Sequence, residues 1–142
     1  MLETASHLFL SAHVSKGPSQ DSPQFKPTAR AAGGRCALDT LLGDSGYDAE
    51  HNHAYARQYL GIRSTIISLN RRGGRRWAKT TYRRQMYRRF PKLKYRQRAQ
   101  IESAISRFKR RLTSCLRGRS RNTQQTEVHL RVLTHDLLLL AA

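Results

Sequence analysis

Tyr95, Arg98, Glu102 and Lys109 are the residues of this chain whose types and spacing could together do chemistry. On a helix, at 100° per residue, the four side chains fall within an arc of roughly 60° and form one stripe. An apolar stripe of Ile101, Ile105, Phe108 and Leu112, spaced 4, 3 and 4, runs about 80° away by the same geometry. Glu102 is therefore expected at the border of core and solvent, where a catalytic carboxylate is held rigid yet reachable. On charge pattern alone, the commoner outcome is a solvated face in which Arg98 and Glu102 form an i,i+4 ion pair. A second acid, Asp44, follows the apolar run Cys36 to Gly43. In α/β sheets, reactive groups gather at the carboxyl ends of strands, so Asp44 is the natural companion for Glu102.

Positioning these acids requires an α/β frame. The sequence predicts strands over 7–14, 36–43 and 64–69, a helix over about 21–32, and a helix over 48–59 started by Asp48 and Glu50 and closed by Gly61. A helix carrying Glu102 is expected over 95–116 and a last helix over 123–140, the latter with Val128, Val132, Leu133, Leu137 and Leu140 on its apolar side. The order strand, loop, helix, strand is that of a single α/β domain with partly parallel strands. Between Arg71 and Arg98, thirteen of twenty-eight residues are Lys or Arg, too many for that segment to be core. Trp77, Tyr82, Tyr87, Phe90 and Tyr95 interleave with them, either to stack on bases or to cover the core beside them.

A formal net charge of +18 over 142 residues recruits polyanions, with nucleic acid first among them. The longest apolar run, Leu137 to Ala142, is far short of the roughly 20 residues a membrane span needs, and the N-terminus lacks a signal-peptide pattern, so a cytoplasmic protein is expected. Cys36 and Cys115 are too far apart for a CxxC site and read as ordinary thiols. His51 and His53 face different ways on a helix and read as exposed structural residues, and His129 and His135 share no face.

The pattern Tyr95-x2-Arg98-x3-Glu102-x6-Lys109 resembles the signature of bacterial insertion-sequence transposases of families four and five, which are DDE-type enzymes. Leu41-Leu-Gly-Asp44-Ser-Gly-Tyr-Asp48 is similar to the strand-end motif that carries their second catalytic Asp. Gly17-Pro-Ser-Gln-Asp21 and Arg131-Val-Leu-Thr-His-Asp136 extend the likeness over nearly the whole chain. The resemblance implies an α/β, RNase H-like (ribonuclease H-like) catalytic core, N-terminally truncated, with C-terminal helices. It implies DNA transposition, with Asp44 and Glu102 as catalytic residues and metal ligands. Mg²⁺ is the implied cofactor, in a two-metal site that cleaves phosphodiesters and supports strand transfer. Tyr95, Arg98 and Lys109 would then hold phosphates, joined by Arg75, Arg76, Arg83, Arg84, Arg88 and Arg89 of the basic segment. The implied partner is double-stranded DNA, as transposon ends and target, in a nucleoid-associated protein that forms a homodimer or associates with a full-length transposase. A basic DNA-binding module without chemistry is the alternative.

The family draws its first Asp from the first strand of the fold. The acids before Asp44 are Glu3, Asp21 and Asp39, and none follows an apolar run that could be that strand. The chain is accordingly expected to begin at the turn between strands two and three, with the first Asp encoded upstream or lost.

Overall fold

The computed structural model describes residues 1–14, 22–70, 78–112 and 115–141. These fall into two compact units, one of Gly17–Arg96 and the other of Met1–Lys16 with Gln97–Ala142, where one domain was expected.

The first unit is built on two parallel strands, β1 (Thr40–Gly43) and β2 (Ser64–Ile67), with Thr40 opposite Ser64 and Gly43 opposite Ile67. Parallel neighbours need a crossover between them, supplied here by the helical segment after Asp44. Thr65, Ile66 and Ile67 are fully buried, as β-branched side chains on a covered strand should be. A β-carbon at Gly43 would lie 3.2 Å from Ile67 Cγ1, so glycine there lets the two strands close. Both strands are shorter than expected. Cys36 and Asp39 lie outside β1, where Asp39 instead pairs with Arg63 at 2.8 Å.

Helix α1 (Phe25–Gly33) buries Phe25, Ala29 and Ala32 at i, i+4, i+7. It accepts Pro27 because the amides of the first helical turn have no intrahelical partner. Helix α2 (Glu50–Ala54) continues as a π-helical turn over Tyr55–Tyr59, where Leu60 N–H reaches Tyr55 O at 3.1 Å. Gly61, at φ 69°, ends it in the left-handed region that glycine adopts without strain. Within the basic segment, α3 (Thr81–Arg88) and α4 (Lys92–Tyr95) form, and Met86 is 3% exposed, so this segment does contribute to the core.

The second unit holds α5 (Arg98–Leu112) and α6 (Arg121–Leu140). Ala104 is its buried centre on α5, while Ile105 of the expected apolar stripe is exposed. On α6, Leu133, Leu137 and Leu140 point outward and His135 is buried, a face rotated from the expected one. His135 packs edge-on against Phe9 and Phe108, with ring centroids 5.1 and 5.7 Å away. The run 7–14 is not a strand. Phe9 makes one antiparallel bridge to Leu2, and its N–H goes to Asp136 Oδ1 at 3.0 Å, so side-chain packing replaces the missing ladder. Among the described residues no helix is long and apolar enough to cross a membrane.

Candidate functional site

Asp44 follows β1 directly, at the carboxyl end of the parallel pair. Its backbone is extended (φ −82°, ψ 179°), and Oδ1 accepts the Gly46 N–H at 3.0 Å, so the carboxylate caps the short 3₁₀ turn Ser45–Tyr47. That cap fixes the side chain at the strand end and leaves it half-buried.

Glu102 belongs to the other unit, on α5. Its side chain is 65% exposed, and Oε1 accepts from Arg98 Nη1 at 2.9 Å, the i,i+4 pair that the charge pattern favours. The expected position at the border of core and solvent gives way to the solvent side, because Ala104 rather than Ile105 faces inward. Lys109 is exposed on the same helix. Tyr95 is not part of that helix, since α4 ends at Tyr95 and α5 starts at Arg98. Its ring meets Phe90 edge-on at 4.9 Å, so of the two roles open to the aromatics, packing is the one seen at Tyr95.

The arginines of the basic segment divide by what they touch. Arg75 and Arg76 lie outside the described residues, as do Asp21 and Trp77. Arg88 and Arg89 are exposed, and Arg84 is exposed with Nη2 on the Lys79 carbonyl at 2.6 Å. Arg83 is turned inward. Its Nε and Nη2 each reach one Asp48 oxygen at 2.8 Å, and the Asp48 side chain is completely buried. This bidentate pair raises the Arg83 pKa and occupies two of its guanidinium nitrogens.

Glu50 is the acid in the first turn of its own helix, as expected, and with Asp48 it also serves other segments. Ala49 holds the N-cap position of α2, without a side-chain cap. Asp48 Oδ2 also accepts Asn70 N–H at 2.7 Å, beyond β2. Glu50 accepts the N–H groups of Tyr82 and Arg83 at 2.9 and 3.0 Å, the orphan donors in the first turn of α3, whose N-cap Thr80 offers no side-chain cap. Burial would raise the Glu50 carboxyl, but these two amides and the Thr80 hydroxyl outweigh it and hold the group below its usual range.

His53, expected exposed, is fully buried. Its Nδ1 lies 2.6 Å from Thr65 Oγ1, which also accepts from Arg57 Nε at 3.0 Å, and its ring stacks near Tyr82 at 6.0 Å. Desolvation, reinforced by the Arg57 charge, lowers its pKa to about 4, and among the described residues Nε2 has no hydrogen-bond partner. Sequence pattern could not reveal this polar cluster, because it joins residues from α2, β2 and α3 that no local spacing relates.

The family model described as the transposase DDE domain matches residues 1–137 of the chain. No curated protein and no solved structure matches it.

Proposed function

Since the chain belongs to the transposase DDE-domain family, we propose that it is a DNA-binding transposase domain carrying two of the three metal-binding acids, Asp44 and Glu102. Family membership implies an RNase H-like fold, a DNA substrate and a nuclease-type transposase that uses divalent metal. The observation that carries the residue assignment is Asp44 capping the turn at the carboxyl end of β1, where α/β enzymes place reactive groups.

The donors described do not amount to the family's metal site. Among the described residues, no three His, Cys, Asp or Glu side chains gather into a group that could hold an ion. Glu3 accepts the Ala5 and Ser6 amides, and Asp39 pairs with Arg63. A hard divalent cation requires about six oxygen ligands in close array. The reading is therefore that the chain binds DNA and that cleavage requires an acid beyond those the described residues bring together. This keeps the non-catalytic module as a second reading, favoured by the exposed Arg98–Glu102 pair.

In either reading, exposed cations supply the affinity. Arg84, Arg88, Arg89 and Lys109 are the described members of the set, with Arg98 shared between Glu102 and phosphate. Binding by several such contacts displaces counterions and weakens steeply with salt. The test is to titrate purified chain with labelled duplex at increasing salt and to assay nicking with Mg²⁺ or Mn²⁺. Salt-sensitive binding without nicking is expected. Affinity that is flat between low and physiological salt would overturn electrostatic DNA binding. Nicking that is abolished by Asp44→Ala would overturn the incomplete acid set.

A further inference from the structure

Helix α1 buries Phe25, Ala29 and Ala32, which throws Lys26 and Arg30, an i,i+4 pair, together onto its other side. Arg35 follows just past its end. These three cations and Tyr55 line an open groove of about 730 Å³, and no carboxylate is among the lining residues. A small-molecule pocket is typically enclosed, whereas this groove is open and edged by three cations. A groove of this kind instead suits a chain of negative charges laid across it.

Beside the cations lies an aromatic stack of which the outer ring is exposed. Tyr55 and Tyr59, at the two ends of the π-helical turn, have ring centroids 5.0 Å apart and planes inclined by 16°. Lys26 Nζ sits 5.5 Å from the Tyr55 ring centroid, and Tyr59 is 68% exposed. π-helical turns are rare and recur at functional sites. Burying a ring as large as Tyr59 would be favourable, yet here it stands in solvent, stacked on a second ring beside three cations.

We propose that α1 and the Tyr55–Tyr59 turn form a binding site for an unpaired stretch of nucleic acid. Lys26, Arg30 and Arg35 hold consecutive phosphates, and a base stacks on the outer face of Tyr59, extending the existing stack. Cationic grooves with stacking rings are the general means of gripping single strands, whereas a base inside a duplex has both faces covered by its neighbours. None of its residues belongs to the basic segment or to α5. It shares with the proposed function only the class of partner.

The test is fluorescence anisotropy with a labelled oligothymidylate and, separately, a duplex of equal length. Tyr59→Ala is expected to weaken single-strand binding roughly tenfold while leaving duplex binding nearly unchanged. Tyr59→Trp, which keeps a stacking face, is expected to retain it. Lys26→Ala with Arg30→Ala should reduce the salt slope for the single strand by about 1.4, the value for two lost phosphate contacts. The proposal is overturned if Tyr59→Ala leaves single-strand affinity unchanged, if it weakens both forms equally, or if polyglutamate competes as well as the oligonucleotide. Absence of duplex binding in the wild type would count against the proposed function alone, because the single-strand titration reads this groove independently.

Discussion

Replacing Asp48 by alanine tests the claim that Arg83 belongs to the interior. The carboxylate is completely buried and receives both Arg83 nitrogens at 2.8 Å and the Asn70 amide at 2.7 Å. Breaking a buried ion pair by removing one partner costs about 3–5 kcal/mol, mostly because the remaining charge is stranded. Arg83 is 32% exposed, so water recovers part of its solvation and the lower end, about 3 kcal/mol, is the expected loss. With urea slopes of roughly 1–3 kcal/mol/M for proteins of this class, the unfolding midpoint should fall by at least about 1 M. The internal reference is Asp39→Ala. Its Arg63 pair has the same 2.8 Å contact, but the side chains are 74% and 62% exposed, and its loss should move the midpoint little. Equilibrium unfolding followed by circular dichroism makes the comparison. Adding Arg83→Ala to Asp48→Ala should recover part of the loss, since it removes the stranded charge. Equal midpoint shifts for Asp48→Ala and Asp39→Ala would refute the reasoning, and Arg83 would return to the set of phosphate-binding arginines.

Two further outcomes follow from the same packing. His53 has a folded-state pKa of about 4 against an ordinary value near 6.5, so the unfolded chain takes its proton first as pH falls. Stability should be level in this respect above about pH 7, decline between about 6.5 and 4 by roughly 3 kcal/mol, and level off below. His53→Gln should flatten that decline in urea titrations at pH 8 and pH 5, and an unchanged profile would show that His53 is not its source. At Gly118, an added β-carbon would lie 2.9 Å from Gln124 N and 3.0 Å from the Thr123 carbonyl carbon, both in the first turn of α6. These are backbone atoms that cannot swing away, so Gly118→Ala should cost about 1–3 kcal/mol, and a neutral midpoint would show that the loop yields freely.

Local pattern made several elements legible before any coordinates. The β1–α2–β2 order, Gly61 as a stop, and a last helix ending at Leu140 all follow from residues close in sequence. What escaped depends on residues far apart. The run 7–14 has the composition of a strand, but a strand exists only if another offers a ladder, and here Asp136 takes the Phe9 amide instead. Asp48 and Glu50 have the types and positions of N-terminal helix acids. Their actual acceptor roles toward Asn70, Tyr82 and Arg83 span 22 to 35 residues. His53 reads as solvent-facing because nothing in its neighbourhood predicts that Thr65 and Tyr82 will close over it.

The candidate site shows the same division at single residues. The spacing from Arg98 to Glu102 is compatible both with a surface ion pair and with a carboxylate set at the edge of the core. Which of the two forms depends on which apolar residue of α5 turns inward, and Ala104 and Ile105 differ by only 100° on the wheel. Ala104 is the one that is buried, so Glu102 faces solvent and pairs with Arg98. A carboxylate in that condition holds a hard cation only if Arg98 gives it up, and the natural competitor for a guanidinium is a phosphate. DNA that drew Arg98 onto its backbone would free Glu102 for metal, so Arg98→Ala should weaken DNA binding yet leave Glu102 more open to cations.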